Sequence, residues 1–150
     1  MPIKRNEFLK SISREHHHGL LICWKIRMGL KKNIEPERIK SYTDWFWETH
    51  LKPHFEIEEK YIFPILNNEN ELVIKALAEH RRLNLLFEST TEHLKNLSLI
   101  GEELERHIRF EERILFNIIQ NIATTEQLQL VKQYHSDVPF VDDLTDSFWE

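Results

Sequence analysis

Apolar residues recur at intervals of three and four positions along most of this 150-residue chain, and the alternation that marks a half-buried strand is missing. The first apolar stripe runs from Phe8 to Leu30, and similar stripes follow further along the chain. Helices with one apolar face are stable when neighbouring helices cover that face. The pattern therefore predicts an all-α fold, namely an antiparallel four-helix bundle with a short fifth helix and a C-terminal tail.

Capping residues and prolines set the predicted boundaries of these helices. Asn70 suits an N-cap, and Thr124 with Gln127 forms a capping-box pattern before the short helix. Pro53 should kink the second helix because its ring clashes with the preceding turn, and Pro64 should end it a residue or two early. We therefore expect helices at about residues 6–32, 36–66, 71–97, 101–121 and 125–135.

The composition suits one domain, since 41% of the residues are hydrophobic and 30% are charged. We expect residues 1–136 to form the bundle and residues 137–150 to form an acidic tail. Phe140, Val141, Phe148 and Trp149 indicate that this tail docks on the bundle or on a partner rather than extending into solvent.

Several classes of protein are excluded by the sequence. The longest apolar run, Leu20–Trp24, is far shorter than the ~20 residues of a membrane span. The N-terminus lacks the apolar core of a signal peptide, which predicts a cytoplasmic protein. A single cysteine, Cys23, excludes an internal disulfide and Cys-rich zinc modules. The net charge of −5 and the lack of a basic, aromatic stripe argue against nucleic acid as a partner.

A ten-residue pattern occurs twice, beginning at His54 and again at His107. Both copies read His, apolar, any residue, apolar, Glu, Glu, basic, two further residues and Phe. An earlier Glu-His pair precedes each copy, Glu15-His16 in the first half and Glu79-His80 in the second. Each half of the chain therefore carries one histidine on one helix and a His-x3-Glu pair on the next.

The spacing of the repeated pattern predicts a metal centre. Residues four apart lie above one another on a helix, so each His-x3-Glu pair aims a nitrogen and an oxygen at the same point. An ionised glutamate that faces a bundle interior is costly unless a cation meets it. Imidazole and carboxylate together suit iron, manganese or zinc. The predicted ligands to two metal ions are His16, His54, Glu58, His80, His107 and Glu111.

The remaining histidines and glutamates of these segments are weaker candidates for metal ligands. His50 stands four residues before His54 on the same helix face, and His17 follows His16, so both are kept as further candidate ligands. Glu59 and Glu112 fall on neighbouring faces, where we expect them to be solvated or to support the ligands. Surface positions are expected for three others, His18, His93 and His135.

Over about residues 5–120 the chain resembles the hemerythrin-like family, the HHE cation-binding domains, through its two Glu-His pairs and its two ten-residue motifs. The resemblance implies a four-helix bundle around two iron ions joined by an oxo or hydroxo bridge, with zinc or manganese as alternatives. It implies that His16 and His54 serve one iron and that His80 and His107 serve the other. Glu58 and Glu111 would bridge the two ions.

Two residues depart from the oxygen-carrying hemerythrins. Those proteins have a further histidine one turn before the position of His80, where this chain has Ala76. They also place an aspartate five residues after the fourth-helix histidine, whereas Glu111 follows His107 by four, as in many bacterial relatives. The resemblance therefore supports the metal site more strongly than it supports reversible oxygen carriage.

Three functions follow as hypotheses. The first is a non-haem di-iron protein that binds or senses dioxygen, nitric oxide or a related small ligand. The second is a di-iron enzyme that consumes peroxide or carries out redox turnover, or a factor that handles iron for repair. The third is a bundle in which the metal is structural. The sequence sets neither the physiological ligand nor an oligomeric state.

Overall fold

The structure is a computed structural model that describes residues 4–135 and 139–150, and every regular element in these residues is helical. No helix in the described part of the chain combines the length and the apolar character needed to cross a membrane. The helices pack into a bundle, which confirms the all-α prediction. A 3-10 turn, Glu7–Leu9, precedes α1, Lys10–Lys31; α2 covers 36–66; α3 is Glu71–Glu88; α4 covers 93–122; and α5 is Thr125–Tyr134.

Two π-helical turns interrupt α2. Its α-helical parts are Pro36–Phe46, Lys52–Ile57 and Phe63–Leu66, and the π turns between them are Trp47–Leu51 and Glu58–Ile62. The first π turn directly precedes the segment that contains Pro53, so the predicted disturbance at this proline takes the form of a wider turn. Pro64 does not end the helix early: it directly follows the second π turn and lies in the first turn of the last α-helical part, which continues to Leu66.

The predicted boundary between α3 and α4 was wrong by several residues. α3 ends at Glu88 and α4 begins at His93, rather than at 97 and 101. Ser89 explains the early end, because its hydroxyl bonds the backbone carbonyl and N–H of Thr91 in place of a further helical turn. Gly101, which was expected to begin α4, instead lies buried inside it.

The core consists of two hydrophobic clusters with a polar layer between them. On α1, for example, His16 separates Ile12 of one cluster from Ile22 of the other. The first, called the Phe87 cluster, includes Ile22, Ile26, Phe46, Trp47, Phe87 and Leu104. The second, called the Phe116 cluster, includes Ile12, Ile62, Phe63, Ala76, Leu115 and Phe116. The polar layer therefore crosses the middle of the bundle.

Close contact between α1 and α4 depends on Gly19. A Cβ atom at this position would lie 2.6 Å from Cδ1 of Ile108, which is closer than carbon atoms can approach. The missing side chain leaves room for the tip of the Ile108 side chain against α1, beside the polar layer.

The C-terminal segment, residues 139–150, docks on the bundle as predicted. Phe148 is buried in the Phe87 cluster, and the carboxylate of Asp142 accepts hydrogen bonds from Lys25 and Tyr42. Arg38 adds a two-pronged ion pair to Asp146. The predicted boundary between bundle and tail at residue 136 lies outside the described residues.

Candidate metal centre

The six predicted ligands meet in the polar layer. Two overlapping sets of ligand atoms form there, and the atoms of each set lie within 4.8 Å of one another. We call His16 and His54 the first histidine pair and His80 and His107 the second. Both pairs share two carboxylates, and all six side chains are buried: His16, His54, Glu58, His80, His107 and Glu111.

Glu58 reaches both histidine pairs with different oxygen atoms. Its Oε2 lies 3.3 Å from Nε2 of His54, and its Oε1 lies 3.2 Å from Nε2 of His80. Two donors bound to one ion at ~2.1 Å and at a right angle are about 3 Å apart. The observed spacing is therefore the spacing of neighbouring ligands around a shared cation.

Glu111 bridges the same two pairs from α4. Its Oε1 lies 3.1 Å from Nε2 of His16 and 3.2 Å from Nε2 of His107. The Nε2 atoms of His80 and His107 are themselves 3.1 Å apart. All four imidazoles thus direct Nε2 toward one small volume that the two carboxylates also face.

Several buried polar atoms in this volume have no hydrogen-bond partner in the described part of the chain. They include both carboxylate oxygens of Glu58, both of Glu111, and Nε2 of His16 and of His54. Buried carboxylates without partners cost free energy, so native structures satisfy them. Divalent cations would satisfy all of these atoms at once, and the donor set of nitrogen and oxygen fits such ions.

Each of the four histidines has a carboxylate on its other ring nitrogen. Nδ1 of His54 donates to Glu15 at 2.7 Å, and Nδ1 of His16 donates to Glu112 at 2.6 Å. In the second pair the same bonds are 2.7 Å long, from His80 to Glu59 and from His107 to Glu79. These bonds fix the ring orientation and leave Nε2 for a metal ion.

The supporting carboxylates repeat the symmetry of the sequence. The glutamate that precedes one histidine of a pair supports the other histidine, so Glu15 supports His54 and Glu79 supports His107. Glu59 and Glu112 lie beside the ligands, as expected. The supporting role of Glu15 and Glu79 was missed, although the duplicated Glu-His pair was the signal for it.

Charge pairing sets the pKa values of these groups. Burial lowers the pKa of His54, but Glu58 and Glu15 outweigh it and raise that pKa to about 9. Glu111 and Glu79 act on His107 in the same way, against burial, and raise its pKa to about 9. Burial raises the pKa of Glu58, yet the surrounding imidazoles hold it well below its usual value. The glutamate is therefore an anion throughout the neutral range.

Backbone and aromatic groups complete the site. Glu58 and Glu111 each begin a π turn, Glu58–Ile62 in α2 and Glu111–Leu115 in α4, so the repeated motif is also repeated in the backbone. Such turns recur at functional sites. The ring of Phe55 stacks on His80 with centroids 3.7 Å apart, which shields this side of the layer from water.

The other candidate histidines lie outside the ligand cluster. His17 is exposed, and His50 packs against Trp45 and Phe140 instead of a carboxylate. His135 is not a surface residue as expected, because its ring nitrogens bond Glu15 at 2.9 Å and Ser11 at 3.0 Å. His18 is half-buried, and its ring stacks on that of Phe140.

Comparison with known proteins agrees with this geometry. Residues 7–119 match the family model described as the hemerythrin HHE cation binding domain. Searches of curated proteins and of solved structures gave no significant match. The matched range contains all six converging ligands and spans most of the chain. This protein therefore belongs to the hemerythrin HHE cation-binding domain family.

Proposed function

We propose that this protein binds two iron ions in the polar layer and uses the pair to bind or sense dioxygen, nitric oxide or a related small ligand. The observation that carries the proposal is the position of Glu58 and Glu111, two buried carboxylates shared by two histidine pairs. We also propose that α1 to α4 run antiparallel around this centre, as the family resemblance implies.

The residues have separate tasks in this proposal. The first histidine pair would hold one ion and the second pair the other, while Glu58 and Glu111 would contribute to both sets. The supporting carboxylates keep the imidazoles in place. When bound, two iron ions would supply the electrons for reversible interaction with a small ligand, which amino-acid side chains do not supply. Zinc and manganese fit the same donors and remain alternatives for the experiment to separate.

Room for an external ligand follows from the donor count. Four imidazoles and two carboxylates are fewer donors than two octahedral ions require, even when each carboxylate bridges. Ala76, one turn before His80, is fully buried in the Phe116 cluster and brings no nitrogen to the site. A small ligand could therefore take a position that the chain itself does not fill.

Metal analysis and an absorption spectrum of protein purified in air test the proposal. We expect about two iron ions per chain and a charge-transfer band. Glu58→Ala and Glu111→Ala should each lose both ions, because each carboxylate touches both histidine pairs. Glu56→Ala, an exposed change two residues from Glu58, should keep both. Retention of one tightly held ion in either ligand variant would contradict the shared arrangement.

A di-iron enzyme that consumes peroxide is the second candidate, and Ala76 is the observation that favours it. Without a nitrogen at this position, the chain would leave each ion a place for an external ligand, which suits redox turnover better than ligand storage. A reversible spectral change on adding and removing oxygen would support the sensor or carrier. Turnover with peroxide and a reductant, slowed by Ala76→His, would support the enzyme. Unfolding on metal removal without either activity would support a structural metal.

A further inference from the structure

A cavity of about 110 Å³ lies on the outer side of His54, away from the ligand cluster. Glu15 and His135 lie on its polar side, together with Ser11. Its apolar side includes Phe46 and Phe140. The cavity therefore borders the hydrogen bonds that support His54 without containing a metal position.

The C-terminal part of the chain builds much of this cavity. His135, Pro139 and Phe140 all line it, and all three lie beyond residue 119, where the family match ends. The segment that carries Phe140 is held down by Asp142, whose carboxylate accepts from Tyr42 at 2.6 Å and from Lys25. The C-terminal side of the cavity is thus held in place by these bonds and lies beyond the matched domain, which supplies the other side.

Flat rings form the apolar wall. Phe140 stacks on His18 with ring centroids 4.1 Å apart and an interplanar angle of 16°. His50 packs on the same phenyl ring at 4.7 Å. A wall of flat rings favours contact with another planar ring.

The polar side of the cavity suits a ligand group that forms hydrogen bonds rather than a charged ligand group. Glu15 is the carboxylate there, and it already accepts hydrogen bonds from His54 at 2.7 Å and from His135 at 2.9 Å. The hydroxyl of Ser11 is bonded to Nδ1 of His135 at 3.0 Å, and its oxygen can still accept a hydrogen bond. Arg14 is the cation of the lining, and it also has an interaction of its own. A neutral ligand with one hydroxyl would match these groups without adding a charge that has no partner.

We propose that this cavity binds a small, neutral aromatic alcohol, whose ring packs on the wall of Phe140 and His18 and whose hydroxyl lies at the Glu15–His135 end. A cavity of about 150 Å³ in another protein holds one benzene ring, so the smaller volume of about 110 Å³ limits the occupant to a single, tightly packed ring. Because Glu15 supports His54, an occupant of the cavity touches the surroundings of the metal centre without binding the metal. The site goes beyond the proposed function and does not depend on the identity of the metal.

Fluorine NMR of fluorophenol and fluorobenzene added to the metal-loaded protein tests the proposal. We expect saturable binding of fluorophenol with a Kd on the order of 1 mM, and binding of fluorobenzene that is at least about threefold weaker because it lacks the hydroxyl. Phe140→Ala should weaken fluorophenol binding about tenfold, and His18→Ala should also weaken it. The second variant changes α1 and leaves the C-terminal segment itself intact.

Two neighbouring, exposed residues give matched controls, namely Val141→Ala for Phe140 and His17→Ala for His18. Both controls should bind fluorophenol like the unchanged protein. Absence of saturable binding would overturn the proposal. So would binding that both wall variants leave unchanged, because the ligand would then sit elsewhere, for example on the metal. Neither result would alter the metal content, which tests the proposed function separately.

Discussion

The two histidine pairs repeat one sequence motif, but the chain around them differs. In the first pair the supporting carboxylates are themselves held, since Arg5 bonds Glu112 at 2.8 Å and His135 bonds Glu15 at 2.9 Å. In the second pair, Glu59 has a side chain that is 45% exposed, and Glu79 is bonded by the surface residue Lys75. The repeated motif sets the ligand geometry, while the unrepeated ends of the chain determine how firmly each half is held.

The largest expected difference between the two pairs appears when a single histidine is removed from one pair or from the other. His16→Ala and His80→Ala should each keep about one metal ion. The ion left in His80→Ala keeps the supporting carboxylates that Arg5 and His135 hold, so a chelator should remove it about tenfold more slowly than the ion left in His16→Ala. Metal content and the rate of transfer to a chromophoric chelator measure this. Equal rates in the two variants would show that the difference in support has no consequence.

The free energy of unfolding of the metal-free protein should depend on pH, and the two histidine pairs should contribute to this dependence alike. His54 and His107 have a pKa of about 9 in the folded chain against an ordinary value of 6.5, so folding strengthens proton binding at both. This contribution to stability is complete below pH 6.5 and is lost as the pH rises through 9. Unfolding by urea should therefore show a loss on the order of a few kcal/mol across this range.

Single variants show how much of that pH-dependent loss of stability comes from each histidine pair. His54→Gln and His107→Gln should each remove a similar share of the pH dependence, since one imidazole of each pair has the same raised pKa. A pH-independent stability in the metal-free protein would contradict the charge pairing described for both pairs.

Removing a supporting carboxylate should have a smaller and unequal effect. Glu112→Ala takes away a group that is bonded to both His16 and Arg5, whereas Glu59→Ala takes away one that is half in water. We expect metal affinity to fall at least about tenfold in the first variant and only a few-fold in the second. Competition with a chelator of known affinity measures both. Glu56→Ala is the exposed control, and a larger loss in Glu59→Ala would reverse the comparison.

The smallest expected effect comes from removing the basic side chains that bond the supporting carboxylates. Arg5→Ala removes bonds to Glu112 and to the α4 residues Asn117 and Gln120, whereas Lys75→Ala removes one exposed ion pair and the contact of its ammonium with the Phe110 ring. We expect Arg5→Ala to lower the free energy of unfolding by roughly 2 kcal/mol and Lys75→Ala by about 0.5 kcal/mol. Urea unfolding of the metal-loaded protein checks the difference, and similar losses would contradict it.

Local signals predicted much of the fold. Asn70 caps α3, and Thr124 with Gln127 forms the expected capping box, because such contacts involve residues two or three apart. The end of α3 was missed because the bonds of Ser89 compete with a helix that the apolar period alone would continue. The width of the α2 turn before Pro53 was missed as well, since period and propensity do not distinguish an α turn from a π turn.

The candidate site, like the fold, could be predicted from the sequence only in part. The two His-x3-Glu pairs could be placed on one point from spacing, and the structure brings them together with His16 and His80. Their identity as metal ligands remains a prediction. His135 could not be placed, because its bond to Glu15 joins residues 120 positions apart, and helical spacing says nothing about such a contact.

The raised pKa values of the buried imidazoles have a consequence for how the metal enters. At neutral pH the metal-free cluster carries protons on His54 and His107, as well as on His16, whose pKa the surrounding glutamates also hold well above its usual value against burial. A metal ion requires the same Nε2 atoms without their protons. Metal binding therefore displaces protons from the imidazoles, and each metal ion that binds releases protons into the solution.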